Sequence, residues 1–439
     1  SIFQKILFIS IPLILGNLLQ QIYNTADSIM VGNFVGSNAL AAVGASSSMI
    51  YLLIAFSQGA AVGAGVIVAQ YLGARDKKSV SDAVHTSLVI AGILGIVLTI
   101  AGIVLSRQLL EWMKTPDEVM EQAVTYFRLY SAGMFFGIVY NMAAGILNAA
   151  GNSKRSLLYL AVASFTNIVL DILFIAILDM GVAGAAIATD ISQAVSCILS
   201  MAFLMRVKDS YQVSLKKLKI HRRIAGSMIR VGLPTGIQNM VISLSNVLVQ
   251  TSVNGFGAAA MAGYTAYLKV DGFNILPVMS FSMAVTTFAG QNYGAGNYDR
   301  VKKGMYVTLA MGFVYTVLTG ALLLTFDDQI MGMFSRDAEV ITCGKLAMKY
   351  FCPFYFILSI LHGLSGALRG VGKSIPPMVV LLLSLCVFRI FWIWLVLPHF
   401  STIEGVYLLY PVSWTLGAVM IIIYACTAKW LPAGRQQGK

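Results

Sequence analysis

Five residues in apolar surroundings carry most of the chemistry this chain can offer: Tyr23, Asp27, Asn167, Asp171 and Thr189. Polar and ionisable side chains placed in such stretches are costly and mark function by default. Tyr23 precedes Asp27 by four residues, and Asn167 precedes Asp171 by four. On helices each pair therefore shares a face. Counting inward from the ends of their stretches puts Asp27, Asp171 and Thr189 at one depth, roughly 10 Å below one membrane surface. Two carboxylates, an amide, a hydroxyl and a phenol at one level suit two chemistries. Two close carboxylates taken out of water cannot both stay charged, so the pair can accept a proton. Alternatively, oxygens from Asp27, Asn167, Asp171 and Thr189 can hold a hard cation such as Na⁺. The plain alternative is a polar network that only ties helices together.

Other polar residues stand apart from this group. Asp190 adjoins Thr189 but points about 100° away on a helix. Lys269 and Asp271 are candidates for a substrate cleft, with Met279 and Met283 as adaptable apolar wall. Tyr264, Tyr267, Phe273, Phe281, Met240 and Met261 extend that candidate wall, with core or lipid contact as their plain reading. Arg389 reads equally as a structural partner or as a side chain reaching for the interface. Pro12 is a candidate hinge, since proline removes a helical hydrogen bond. Gly133 and Gly137 permit close helix approach.

These residues need a scaffold that tolerates them in lipid. Of 439 residues, 58% are hydrophobic and 11% are charged, against roughly 25% charged in a soluble domain. The mean hydropathy is +0.80. Leu88–Leu105 and Met305–Phe326 contain no charge, and each is near the roughly 20 residues that cross hydrocarbon. Alternating strand-length segments are absent, so helices satisfy the backbone. Twelve spans are predicted: 8–33, 49–71, 84–106, 127–149, 157–178, 182–205, 230–255, 264–290, 303–325, 345–369, 374–397 and 404–427. The expected organisation is an N-terminal lobe 1–205, a cytoplasmic linker 206–229 and a C-terminal lobe 230–439. The first apolar stretch outruns a signal-peptide core and reads as a span.

The net charge of +12 follows from the positive-inside rule rather than from nucleic-acid binding. Lys and Arg gather in alternate loops, at Arg75, Lys77, Lys78, Lys154, Arg155, Arg300, Lys302, Lys303 and Lys373, and in the linker. Both termini are therefore expected in the cytoplasm, with the chain in the plasma (inner) membrane. Five scattered cysteines and four histidines form no metal or disulfide pattern. No Walker A, HExxH or GxSxG sequence is present, so no ATP drive, cofactor or enzymatic step is expected. A monomer is expected.

The halves repeat. Gln70-Tyr-Leu-Gly-Ala matches Gln291-Asn-Tyr-Gly-Ala, and Gly145–Ser153 matches Gly366–Ser374, at an offset of 221. Pro12 and Asn17 match Pro234 and Asn239 at 222. Six spans per half give both halves one orientation. The expected fold is thus an all-α polytopic protein of two six-helix lobes related by a pseudo-two-fold axis along the membrane normal. At 221, Asn167, Asp171 and Thr189 map to Phe388, Trp392 and Tyr410; at 222, Asp27 maps to Val249. Ion coupling is accordingly expected in the first half alone.

Together these features resemble the multidrug and toxic compound extrusion (MATE) family, in particular its DinF-like branch. The resemblance rests on Pro12, Tyr23 and Asp27 in span one, Asn167 and Asp171 in span five, Thr189 in span six and the Gln-x-x-Gly-Ala loops. It implies an antiporter that expels small organic, often cationic, compounds in exchange for H⁺ or Na⁺, with two lobes in alternating access. Another branch carries acidic residues in spans seven and ten, and this chain has none there. A related flippase of lipid-linked oligosaccharides is the rival reading. It would need a strongly cationic interior, and the spans hold few cations beyond Lys269 and Arg389.

Overall fold

The computed structural model describes residues 1–433, and among these the regular structure is helical with no strand. The first six helical paths are α1 (Ile2–Phe34), α2 (Ser37–Gly73), α3 (Lys77–Trp112), the bent pair α4 (Asp117–Ala132) and α5 (Met134–Ala149), α6 (Ser153–Asp171) with a π-helical continuation over Ile172–Ile177, and α7 (Val182–Arg206). The second six are α8 (Arg222–Asn254), α9 (Ala258–Gly294), α10 (Tyr298–Thr325), a path that follows the short α11 (Asp327–Gly332) and runs from α12 (Ala338–Phe351) into α13 (Tyr355–Gly370), the path from α14 (Ile375–Leu381) through α15 (Phe388–Phe391), and α16 (Glu404–Thr427). Ten paths are long and apolar enough to span a membrane unaided, and α4–α5, bent by 49°, makes an eleventh. The twelfth, α8, is 33 residues long but carries Arg222, Arg223 and Arg230. The chain is an all-α polytopic membrane protein.

Several helices begin earlier than the apolar runs suggest. α2 starts at Ser37 and α4 at Asp117. Charge ends an apolar run without ending a helix, because the backbone ladder continues into the headgroup region. α3 is fixed at its start by Asp76, whose carboxylate accepts from Ser79 N at 3.1 Å and Ser79 Oγ at 2.6 Å. Those donors hold Asp76 below the usual carboxylate range.

The chain forms two compact units. One is Pro12–Gly236; the other joins Ser1–Ile11 to the chain from Ile237 onward. The boundaries fall within α1, at Pro12, and within α8, two residues after Pro234. In the first unit, α2 and α8 meet backbone to backbone. A Cβ on Gly59 would lie 2.6 Å from both Gly232 O and Gly236 N. The repeated motif glycines do similar work in each unit. A Cβ on Gly145 would lie 2.9 Å from Ala61 O, and one on Gly366 would lie 2.5 Å from Ser282 O. Lipid is as apolar as a leucine side chain, so helix association relies on such close packing. The second unit is filled by aromatic rings. Phe351 packs on Tyr267, Tyr407, Tyr410 and Trp414, with ring centroids 4.5–6.1 Å apart.

Replacing Gly59 with Val forces α2 away from α8. The expected loss is about 1–3 kcal/mol, the usual range for overpacking. A lowered thermal midpoint of the detergent-solubilised protein measures it, and an unchanged midpoint would refute this contact as a support of the fold.

Candidate functional site

Three helices of the first unit converge on the polar group. α1 supplies Asp27, α6 supplies Asn167 and Asp171, and α7 supplies Thr189. The side chains of Asp27 and Asp171 interact directly. Asn167, Asp171 and Thr189 are buried. Asn167 Nδ2 donates to Thr189 Oγ1 at 3.3 Å, and Thr189 Oγ1 donates to Ala185 O at 3.0 Å. Other oxygens are left over. Asp27 Oδ1, Asn167 Oδ1 and both carboxylate oxygens of Asp171 are shut from solvent and receive no donor. Acceptors gathered without donors need a positive partner, either a proton or a metal ion.

The local structure supports this placement. α6 changes to π-helix directly after Asp171, a wide turn frequent at functional sites. Among the described residues, no cluster of three or more His, Cys, Asp or Glu side chains is arranged to hold a metal. Any cation here would rest on two carboxylates helped by amide and hydroxyl oxygens, an oxygen set that suits H⁺ or Na⁺.

Tyr23 takes a different part. It lines a polar cavity of about 90 Å³ beside Asn167, with Gln20, Tyr130, Tyr140, Asn141 and Gln193. Tyr126 and Tyr130 of α4 and Gln193 of α7 were not singled out by sequence reasoning. Their only signals were the four-residue spacing of the tyrosines and the glycines at 133 and 137. Those glycines do allow close approach. A Cβ on Gly133 would overlap Asp190, and one on Gly137 would lie 3.0 Å from Gln193. Asp190 is thus pressed against the bend of α4–α5, and its Oδ1 has no hydrogen-bond partner.

The remaining candidates lie in the second unit. Asp271 accepts from the hydroxyls of Tyr355 and Tyr267. Lys269 is exposed, and Met279 and Met283 are half-buried. Tyr264, Tyr267 and Phe281 belong to the core, while Met261 and Phe273 are exposed. Arg389 does not reach for an interface. It is buried, donates to Ser245 Oγ at 2.8 Å and Ser413 Oγ at 3.1 Å, and lies 4.6 Å from the centroid of the Tyr410 ring. Pro12 sits inside an unbroken α1, at the boundary between the units.

The repeat carries through the turns that open α6 and α14. Gly151 and Gly372, both at positive φ, are 221 residues apart. α6 then opens at Ser153 and α14 at Ile375, which are 222 apart. Asn152 N donates to Leu147 O and Lys373 N to Leu368 O, so the two turns match at 221 up to the helix start. α7 and α16 also start 222 apart, at Val182 and Glu404. At an offset of 222 Asn167 pairs with Arg389, and at 221 with Phe388.

Comparison with known proteins agrees with this architecture. The MatE family model matches residues 12–173 and 234–395. The chain is 29% identical over 389 residues to the probable multidrug resistance protein YpnP of Bacillus subtilis, covering 89% of this chain and 87% of that protein. It is 26% identical over 392 residues to the probable multidrug resistance protein NorM of Thermotoga maritima, covering 88% and 84%. A solved MOP superfamily transporter from Pyrococcus furiosus, for which reversed binding-pocket polarity suggests a different function, superposes with a TM-score of 0.91. Its identity is 26%, with 97% of this chain and 95% of that chain covered.

Asp171→Asn places an amide donor against Asp27. Because it relieves crowded acceptors, it is expected to leave the thermal midpoint unchanged or raised. A fall of more than about 2 °C, equivalent to roughly 2 kcal/mol in a chain of 439 residues, would identify Asp171 as a structural support.

Proposed function

The chain belongs to the MatE family, and from that premise we propose that it is an ion-coupled exporter of organic compounds, with the coupling ion taken up at Asp27, Asn167, Asp171 and Thr189. Members of the family are secondary transporters, not enzymes. The named relatives are multidrug resistance proteins, which supports small, chemically varied organic substrates, many of them cationic. The observation that carries the ion site is the set of four buried oxygens without donors on Asp27, Asn167 and Asp171. H⁺ and Na⁺ both satisfy that set, and either serves as the exchanged ion.

Coupling requires that ion and drug favour different states of the protein; a ligand that binds both states equally shifts nothing. Asp27 is well placed to carry such a preference, because it lies on the same helix as Pro12, and α1 passes from one unit to the other there. Bending at Pro12, which lacks a helical N–H, is the proposed response to ion binding. Lys269, Asp271, Met279 and Met283 are proposed to contribute to substrate contact. The Lys and Arg bias supports cytoplasmic termini and a plasma-membrane location, and the working unit is proposed to be a monomer. The flippase reading is not favoured, since buried Arg389 and Arg369 are bonded to serine and threonine hydroxyls within the second unit.

The experiment is efflux of a fluorescent organic cation from reconstituted vesicles, with pH and Na⁺ gradients imposed separately. One gradient is expected to drive efflux, and Asp27→Asn and Asp171→Asn are each expected to lower the driven rate about 100-fold, the loss of roughly 3 kcal/mol of coupling. Undiminished driven efflux in both variants would overturn the ion site. Absence of driven efflux of varied organic cations in the wild type would overturn the exporter reading.

A further inference from the structure

The connection between α7 and α8, residues 207–221, is not a slack tether. Tyr211 and Val213 are buried in the core of the first unit. Val213 N donates to Leu204 O at 2.9 Å. Ser214 N donates to His85 Nε2 at 2.9 Å, while His85 Nδ1 bonds Ser81 O at 2.6 Å. Thr86 Oγ1 donates to Lys219 O at 3.3 Å and accepts from His221 N at 3.1 Å. The connection is thus laced to the first turns of α3.

What it presents outward is unusual for a water-facing loop. Leu215 is 60% exposed, and Leu218 and Ile220 are each 40% exposed. They alternate with exposed Lys216, Lys217 and Lys219. Because the segment joins the ends of two membrane-spanning helices, it lies at the boundary of lipid and water. Beneath it is a cavity of about 360 Å³ lined by Asp82, His85, Lys216, Lys217, Lys219 and His221. Its single carboxylate, Asp82, is engaged by His221 Nε2 at 3.5 Å. The three lysines have no ion pair with any described residue. α8 then opens on exposed Arg222 and Arg223 with no acidic residue in its first turn. Helix starts favour anions and disfavour cations, so two arginines there call for a negative partner.

We propose that this connection and the starts of α3 and α8 bind the phosphate headgroup of an anionic membrane phospholipid. The lysines of the cavity and the arginines of α8 surround the phosphate. Leu215, Leu218 and Ile220 enter the acyl boundary. Exposed leucine and isoleucine beside the lysines select a lipid over a soluble phosphate, which has no apolar portion to cover them. Each basic residue near an anionic bilayer surface contributes in the same direction. The site is independent of the ion site and of the exporter reading.

The test is native mass spectrometry of the full chain released from nanodiscs of mixed phosphatidylcholine and phosphatidylglycerol. The wild type is expected to retain phosphatidylglycerol preferentially. The triple variant Lys216→Gln, Lys217→Gln, Lys219→Gln is expected to lose that preference about tenfold or more, since each lysine near the surface is worth roughly fivefold. Lys302→Gln with Lys303→Gln, exposed lysines on α10, is expected to keep it. Leu215→Ser with Leu218→Ser is expected to weaken retention while leaving the charge intact. No preference in the wild type, or equal loss in the α10 control, overturns the proposal. So does displacement of the lipid by millimolar inorganic phosphate, which would mark a soluble-anion site.

Discussion

Every polar group carried into hydrocarbon must find its partner within the chain, because lipid offers none. Most of this molecule obeys that constraint by short local bonds. Ser10, Thr235, Ser365 and Thr316 each return a hydroxyl to a carbonyl one turn back. Buried Arg369 bonds Ser282, which also donates to His362 O across α9 and α13. Arg389 is held by two serines and a tyrosine ring. Asp271 rests on two tyrosine hydroxyls. Against this background the unsatisfied oxygens of Asp27, Asn167 and Asp171 stand out.

Most of the architecture could be read from the sequence. The twelve paths follow from apolar length, and their alternation with basic loops checks the count. What could not be read was where helices end, since a helix outlasts its hydrophobic run at both surfaces. The bend at Gly133 was hidden as well. A glycine in an apolar segment signals close approach, but its partner, Asp190, lies on a helix more than fifty residues away. The meeting of Asp27 with Asp171 was legible because depth along a helix is fixed by its rise per residue. The place of Tyr23 was not. Four-residue spacing gave the right face, yet the phenol lines the neighbouring polar cavity.

The two units differ in a way that a list of substitutions would not convey. Their helices follow the same order, and both use motif glycines to bring backbones together. Yet the first unit buries Asn167, with a bare carbonyl oxygen beside two carboxylates, and the second buries Arg389, its guanidinium held by Ser245 and Ser413. The second unit carries its cation covalently. The first contains no buried Lys or Arg at Asp27 and Asp171, and the proposed ion would be drawn from solution. A group supplied covalently cannot leave, whereas one drawn from solution can bind and dissociate with each change of conditions. Under the proposed ion site, this difference makes the first unit the half that responds to an ion gradient, without requiring the two folds to differ.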